Sequence, residues 1–440
     1  MNFTYKKIFA INLPVMASML MEQLVNLTDT LFLGCVGETE LGAAALGSMY
    51  YTSVYMLGVG FSLGVQAAIA RKNGKGDHEG ASNAFRQGFL FLTALAALLF
   101  SLSQFFSPEI LRHLIRSDEV YRAAMQYVQW RDYSFLSAFP LLAIRALLIG
   151  TTRTKALAVN SLLLVGSNVL LNYLLIFGRG SFPPLGISGA ALASSLAELI
   201  ALAHLIYIVR KDFRRAPFFL DTPTMKSLFR LSFWTMARSF FCVAPWLLFF
   251  IAIEHLGERQ LAAANIVRSI SMIFFVIVNS LATTGISLVG NLLGAGQSRD
   301  LFPTLRKVIL LGYATGLPLL MLALLFPTAA LGLFTGDTTI VQTALPPFLV
   351  MLSTYILSVP AYTFCNAVIG TGKTKTAFGF QMITIGAYLA YLSFLSQTKV
   401  PLAAFWTAEQ LYVAMLWVLS AAYLKKYRKG STGKISSPGS

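Results

Sequence analysis

Long apolar segments alternate with short polar segments along all 440 residues of the chain. An α-helix of about 20 apolar residues spans the hydrocarbon core of a bilayer. The longest polar connections have only about 18 residues, too few for a soluble domain. The pattern therefore predicts an all-α polytopic membrane protein with twelve transmembrane helices. We predict these helices at residues 8–34, 41–70, 84–106, 121–150, 156–178, 186–209, 228–254, 261–293, 304–327, 341–370, 376–397 and 400–424.

The distribution of charge predicts the orientation of the helices across the membrane. The chain is 56% hydrophobic and 12% charged, with a net charge of +16. About 24 of the 34 Lys and Arg residues lie at the termini and in the even-numbered connections, and about 7 lie on the other side. This asymmetry predicts a bacterial-type inner (plasma) membrane protein with both termini in the cytoplasm, and it argues against nucleic acid as a partner.

A shift of the sequence by 220 residues brings a series of landmarks into coincidence without a gap. Because each half holds six helices, the halves form a parallel repeat: two six-helix bundles related by a pseudo-twofold axis along the membrane normal, as in transporters. The coinciding landmarks include Gly37 with Gly257, Gly76 with Gly296, Pro140 with Pro360, and Gly150 with Gly370. The predicted domains are residues 1–209 (N-terminal lobe), 210–227 (cytoplasmic linker), 228–424 (C-terminal lobe) and 425–440 (basic flexible cytoplasmic tail).

Several carboxylates interrupt the apolar helices, although an acid in the membrane centre costs roughly 3 kcal/mol or more. At about 1.5 Å per residue, Asp29 and Asp132 lie at similar depths in the outer half of the first lobe, together with Asn168, Asn172 and Ser194. A second group of possible site residues is Glu22, Asn26, Asp132 and Glu198. Structural explanations of these polar residues remain open. Asp29 could reach interfacial water, Asp132 could pair with Arg131, and the asparagines could join helices through hydrogen bonds.

Other chemistry has little support in the sequence. The stretch 370–374, GTGKT, resembles the end of a phosphate-binding loop, but Ala367 stands where that pattern requires glycine. The four histidines form no catalytic or metal-binding constellation, and the three cysteines show no metal spacing. We therefore predict no cofactor, no metal site and no enzymatic activity. A polytopic membrane enzyme remains the non-transport alternative.

The combined motifs resemble the multidrug and toxic compound extrusion (MATE) family over essentially the whole chain. The resemblance implies a twelve-helix antiporter that exports organic compounds in exchange for inward H+ or Na+. The motifs that carry it are Asp29-x-x-x-x-Gly34-x-x-Gly37, Leu41-Gly42-Ala43-Ala44, Gly74-Lys75-Gly76-Asp77, Gly150-Thr151-Thr152-Arg153-Thr154-Lys155, NVLLNYLLIF at residues 168–177, and Gly189-Ala190-Ala191-Leu192-Ala193-Ser194.

The resemblance assigns roles to particular residues of the first lobe. Asp29 matches the family's helix 1 aspartate, and Pro14 matches its helix 1 proline, at which a bend is expected. Asn168 and Asn172 match a helix 5 pair that is often Asn and Asp, so the second position departs from the acidic form. Ser194 matches a helix 6 threonine. The resemblance thus implies a cation-coupling site of Asp29, Asn168, Asn172 and Ser194.

The second lobe lacks the acids of the NorM-type branch. Cys242 lies near that branch's helix 7 glutamate, and predicted helix 10 has no acid between Val341 and Gly370. This difference favours a DinF-like arrangement centred on the first lobe. With Asn172 neutral, H+ is the preferred coupling ion and Na+ the alternative.

We therefore predict a monomeric secondary active exporter that works by alternating access between the two lobes. Its partners are a small-molecule substrate, cationic or amphipathic, the coupling cation and membrane lipids. The alternative within transport is a lipid-linked precursor flippase of the related superfamily. A flippase would need a strongly cationic cavity, whereas only Arg131, Arg145, Arg238 and Arg268 lie well inside the predicted helices.

Overall fold

The computed structural model describes residues 2–179, 182–214, 220–242, 244–398 and 400–433. Within these residues the chain forms fifteen α-helices and no β-strand. The helices are α1 (Tyr5–Gly34), α2 (Glu38–Gly74), α3 (His78–Leu114), α4 (Asp118–Arg131), α5 (Ser134–Gly150), α6 (Lys155–Phe177), α7 (Gly186–Arg214), α8 (Thr222–Phe241), α9 (Ala244–Glu254), α10 (Glu258–Gly294), α11 (Leu301–Leu325), α12 (Pro327–Gly332), α13 (Thr338–Gly370), α14 (Thr374–Ser396) and α15 (Leu402–Gly433).

The helices confirm the predicted class, an all-α polytopic membrane protein. Among the described residues, 11 segments are long and apolar enough to cross a membrane, and there are 12 if the bent pair α4–α5 counts as one span. Helices α8 and α9 together form a single span in this count, Thr222–Glu254. The short helix α12 is too short to be a span of its own.

The prediction of one continuous helix over 121–150 is wrong. Helices α4 and α5 meet at Asp132 and Tyr133 with a bend of 47°. At the break, the N–H groups of Phe135 and Leu136 bond to the carbonyls three residues earlier, at 2.9 and 3.1 Å, so the backbone tightens locally. The apolar pattern continues through this point and therefore gives no warning of the bend.

Several helices extend beyond their apolar segments, and polar side chains cap the starts of α3 and α8. Helix α3 begins at His78, where the Asp77 side chain accepts a hydrogen bond of 2.8 Å from the Gly80 N–H. Helix α8 begins at Thr222, inside the predicted linker. Just before it, hydrogen bonds from Thr224 and Asn83 hold the pKa of Asp221 below its usual range. Helix α15 continues to Gly433, past the predicted end at 424, and residues 434–440 of the predicted tail lie outside the described residues.

The N-terminal unit comprises residues 13–72 and 77–240. Helix α7 packs against α4, α5 and α6, and α5 packs against α3. The core is mainly aliphatic, and the aromatic side chains Phe61, Phe135 and Phe139 are fully buried within it. Helix α2 approaches α8 so closely that a Cβ on Gly60 would lie 2.4 Å from the Thr235 carbonyl oxygen, so only glycine fits there.

The C-terminal unit comprises the described residues of 1–12, 73–76 and 241–440. Helix α13 lies at its centre and packs against α10, α11, α14 and α15. Two short segments from the first half of the chain are held on α10 within this unit. Asn12 accepts from the Thr284 hydroxyl at 2.9 Å, and the Asn73 amide donates to Asn291 Oδ1 at 2.6 Å.

The offset of 220 residues is visible in the backbone of the two halves. Helix α10 has the bounds of α2 after this shift, and α13 ends where α5 ends. The turns also correspond: Gly76 and Gly296 both have positive φ, at 78° and 74°. Thr152 adopts a φ of 59° where its counterpart Gly372 has 81°. The shared left-handed turns support the duplication inferred from the sequence.

Candidate cation-coupling site

Three helices of the N-terminal unit carry the four residues that the resemblance assigns to cation coupling. Asp29 lies near the C-terminal end of α1, Asn168 and Asn172 lie on α6, and Ser194 lies on α7. A spacing of four places the two asparagines on one face of α6. Helices α6 and α7 pack closely together, and Asn168, Asn172 and Ser194 are buried. The structure thus brings all four residues together.

The Asp29 carboxylate is the centre of this cluster. Its Oδ1 accepts hydrogen bonds from the amide of Asn172 at 2.6 Å and from the amide of Asn168 at 3.2 Å. Its Oδ2 accepts from the Ser194 hydroxyl at 2.8 Å. Three donors from two other helices therefore converge on one acid. Such charge-assisted hydrogen bonds are shorter and stronger than those between neutral groups.

The donors are held in place by bonds among themselves. The Asn168 amide also donates to Ser194 Oγ at 3.1 Å, and the Asn172 amide also donates to Asn168 Oδ1 at 3.1 Å. The Thr28 hydroxyl lies 3.4 Å from Asn168 Oδ1. Both hydrogens of each amide are thus used inside the cluster. Asn172 Oδ1 is buried and has no hydrogen-bond partner among the described residues.

The cluster can respond to a proton or to a small cation. Protonating Asp29 would remove acceptor capacity from a group that now receives three hydrogen bonds, and each bond to a charged group contributes about 1.5–3 kcal/mol. A Na+ ion would instead need oxygen ligands, of which Asp29 and Asn172 Oδ1 are at hand. Within the described residues, no three His, Cys, Asp or Glu side chains gather to hold a metal ion.

Two residues proposed on α1 do not join this cluster. Asn26 is exposed, and its side chain makes no hydrogen bond with another described residue. Glu22 forms an ion pair with Arg145 of α5 instead. Pro14 lies within α1, which is continuous from Tyr5 to Gly34, so the expected bend at this proline stays a prediction.

Glu198 of α7 also has its own partner. Its Oε1 accepts from Arg131 at 2.9 Å, and both side chains are largely buried. Arg131 also donates to the Ser134 hydroxyl at 2.6 Å and lies 4.1 Å from the centre of the Tyr51 ring. This ion pair joins the end of α4 to α7, and Glu198 does not bond to the Asp29 cluster.

Asp132 faces α3 and is 1% exposed. Its Oδ2 accepts from the Ser103 hydroxyl at 2.6 Å, and Ser103 is in turn 2.7 Å from the Tyr50 hydroxyl. Its Oδ1 has no hydrogen-bond partner among the described residues. The similar depth of Asp29 and Asp132 therefore does not place them in one hydrogen-bonded cluster.

The partners of these acids were not identified from the sequence. Arg145, Thr28 and Ser103 were not assigned to any site, although Arg145 and Glu22 are opposite charges inside membrane helices. Such charges almost always pair with one another. That rule would have found the Glu22–Arg145 pair, whereas no sequence signal marks Thr28 or Ser103 among the many hydroxyl residues.

Comparisons with known proteins agree on one family. The family model described as MatE matches residues 14–174 and 235–392. A protein described as "Probable multidrug resistance protein NorM" from Rhizobium meliloti (strain 1021) is 27% identical over 336 residues, which cover 74% of this chain and 71% of the relative. A relative with the same description from Photorhabdus laumondii subsp. laumondii is 23% identical over 449 residues, 98% of each chain.

Solved structures share the fold of this chain. One is described as the outward-facing conformation of a multidrug resistance MATE family transporter of the MOP superfamily. It superposes with a TM-score of 0.89 at 18% identity and covers 97% of this chain and 96% of its own.

Proposed function

Since the chain belongs to the MatE family of transporters, and not to a family of enzymes, we propose that it is a secondary active antiporter that exports organic compounds in exchange for inward H+. Asp29 is the coupling carboxylate, and Asn168, Asn172 and Ser194 are its positioning partners. The protein works as a monomer in a bacterial-type inner membrane, with both termini in the cytoplasm. The DinF-like assignment is part of this proposal.

The observation that carries the proposal is the convergence of three donors on Asp29. A carboxylate that joins α1 to α6 and α7 through hydrogen bonds can change those bonds when it gains a proton. Asp29 would load a proton when its site is open to the more acidic outside and release it inside. Loading weakens the acceptor, so α1 can shift against α6 and α7, and Pro14 is the expected place for the bend.

Na+ is the second candidate for the coupling ion. The buried Asn172 Oδ1, which has no hydrogen-bond partner among the described residues, favours it because an amide oxygen is a ligand for a hard cation. The observed orientation supports H+ more strongly, because both amides point N–H donors at Asp29. A flippase for lipid-linked precursors has less support, since Arg131 and Arg145 are neutralised by Glu198 and Glu22.

The decisive experiment is export by purified protein in proteoliposomes with an imposed pH gradient. The Asp29→Asn variant keeps the size of the side chain but cannot carry the proton, so it should lose gradient-driven export. Asp118→Asn is a matched control, because Asp118 is exposed and pairs with Arg112 far from the cluster in sequence. Export by Asp29→Asn at the wild-type rate would refute the assignment.

A second experiment identifies the coupling ion independently of the role of Asp29. Wild-type protein is given a Na+ gradient at equal pH on both sides, and then a pH gradient without Na+. Export that follows only the pH gradient supports H+. Export that follows only the Na+ gradient would contradict proton coupling and assign Asp29 to ion binding.

A further inference from the structure

Another buried acid of the N-terminal unit, Asp132, lies outside the Asp29 cluster, at the bend between α4 and α5. It is 1% exposed. Its Oδ2 accepts from the Ser103 hydroxyl at 2.6 Å and lies 3.5 Å from the Gln104 amide nitrogen, both on α3. Its Oδ1 has no hydrogen-bond partner among the described residues. Asp132 therefore receives only one short hydrogen bond, whereas three donors converge on Asp29.

The basic side chains near Asp132 are paired with other acids. Its neighbour Arg131 attracts it electrostatically, but the guanidinium forms an ion pair with Glu198 of α7 at 2.9 Å. Helix α5, on the other side of the bend, has one ionisable residue, Arg145, which pairs with Glu22. Asp132 forms no ion pair with any described residue. A buried carboxylate without a paired cation is so costly that such a group takes up a proton instead.

Two hydroxyl groups connect Asp132 to α2. The hydroxyl of the half-buried Tyr50 is 2.7 Å from Ser103 Oγ, which is 2.6 Å from Asp132 Oδ2. Tyr50 is the titratable group of α2 that interacts with Asp132, and the charged residue of α3 nearest in sequence to Ser103, Glu109, is exposed. Hydroxyl hydrogens rotate, so either oxygen of the Tyr50–Ser103 pair can donate. The hydroxyls therefore donate towards an ionised Asp132 and away from a protonated one.

We propose that Asp132 is a second proton-binding site of the N-terminal unit, and that Ser103 and Tyr50 form the path by which its proton exchanges. Hydronium gives a proton to the Tyr50 oxygen, Tyr50 passes its own proton to Ser103, and Ser103 passes its own to Asp132 Oδ2. Three O–H bonds break and three form, so that one proton moves from hydronium to the carboxylate and both hydroxyls are restored. Proton binding stands alone, whereas a part in export, as a second proton carried in each cycle, rests on the proposed function.

Infrared difference spectra of the purified full chain detect this proton directly. Transfer from H2O to D2O shifts the C=O stretch of a protonated carboxyl group, and an ionised carboxylate has no band in that region. The spectra are taken at about pH 7, where an ordinary aspartate with a pKa of about 3.9 is ionised. We expect a protonated carboxyl band that is lost in Asp132→Asn and kept in Asp118→Asn, which changes an exposed acid of α4. A wild-type spectrum from Asp132→Asn would overturn the proposal.

A second pair of variants tests the path. Ser103→Ala keeps the acid but removes the hydroxyl next to it, so exchange of the bound proton for deuterium should slow at least about tenfold. Ser101→Ala removes an exposed hydroxyl of the same helix, which donates to the Ala97 carbonyl, and should exchange at the wild-type rate. An unchanged rate in Ser103→Ala would contradict the path. This pair also decides the proposal if Asp132→Asn does not fold.

The failure of this proposal can be told apart from failure of the transport proposal. Asp29→Asn leaves Asp132 in place and should keep the infrared band while losing gradient-driven export. Loss of the band in Asp29→Asn would assign the proton to Asp29 and overturn the inference. Asp132→Asn should export substrate with fewer protons per molecule, as measured by both fluxes in proteoliposomes, and an unchanged ratio would contradict its part in export. Normal export by Asp29→Asn would contradict only the coupling role of Asp29.

Discussion

Asn172 donates its amide N–H to Asp29 Oδ1 at 2.6 Å, the shortest of the three hydrogen bonds that this carboxylate accepts. The bond joins α1 to α6. Residue 172 is neutral here, whereas MATE proteins often carry an acid at the matching position. The chemistry of the cluster therefore depends on whether residue 172 donates a hydrogen bond or contributes a second negative charge.

Asn172→Asp should shift the coupling from H+ towards Na+. Two carboxylates so close together cannot both be charged at little cost unless a cation lies between them. We expect export driven by the pH gradient to fall at least about tenfold and a dependence on Na+ to appear. Export rates under separate H+ and Na+ gradients measure both effects.

Asn26→Asp is the matched control for this change. It adds the same charge to α1 at an exposed position outside the cluster. The control should keep the wild-type ion dependence. A variant Asn172→Asp with unchanged response to both gradients would show that residue 172 does not influence the coupling ion.

Ser194→Ala should slow export without unfolding the protein. The change removes the donor to Asp29 Oδ2, and a hydrogen bond to a charged group contributes about 1.5–3 kcal/mol, or roughly tenfold to a hundredfold. Ser194→Thr restores a hydroxyl and should recover most of the rate. Initial export rates in proteoliposomes test the pair, and equal rates for the alanine and threonine variants would argue against the bond.

The Arg131–Glu198 pair should matter for stability only when one partner is removed. Arg131→Met or Glu198→Leu alone leaves a largely buried charge without its counter-ion, at a cost of about 3–5 kcal/mol. The double variant should regain much of that loss. Thermal unfolding in detergent checks this expectation. A double variant less stable than both single variants would contradict it.

The topology can be tested with single cysteines at Thr222 or Ser227, in a background that lacks Cys35, Cys242 and Cys365. Because basic connections remain in the cytoplasm, both positions should resist an impermeant thiol reagent added to intact cells. They should react once the cells are opened. Labelling from outside the cell would reverse the predicted orientation.

The sequence predicted the Asp29 cluster better than it predicted the other acids. The spacing of Asn168 and Asn172 defines one face of a helix, and the family motif connects that face to Asp29 and Ser194. Depth along a helix was the only guide for Asp132 and Glu198. Depth does not give the direction in which a side chain points around its helix axis, so their bonds to Ser103 and Arg131 could not be deduced.

The ends of the helices were also predicted less well than their apolar centres. Hydropathy locates the apolar middle of a span, but the ends are determined by caps such as Asp77 and by backbone geometry. The break at Asp132 and Tyr133 depends on a few backbone hydrogen bonds in an otherwise continuous apolar segment. A break of this kind leaves no periodic signal in the sequence.

Helix α1 has its two ends in different units. Residues up to Asn12 cluster with the C-terminal unit, where Asn12 bonds to α10, and the remainder clusters with the N-terminal unit. Asp29 follows Asn12 by about 26 Å of helix. Pro14 lies just after the boundary and has no N–H to donate to the Ala10 carbonyl. Because this hydrogen bond is missing, bending α1 at Pro14 costs less energy than bending it elsewhere. A movement at the Asp29 end would therefore be carried along one continuous helix, in which Pro14 is the expected point of flexibility.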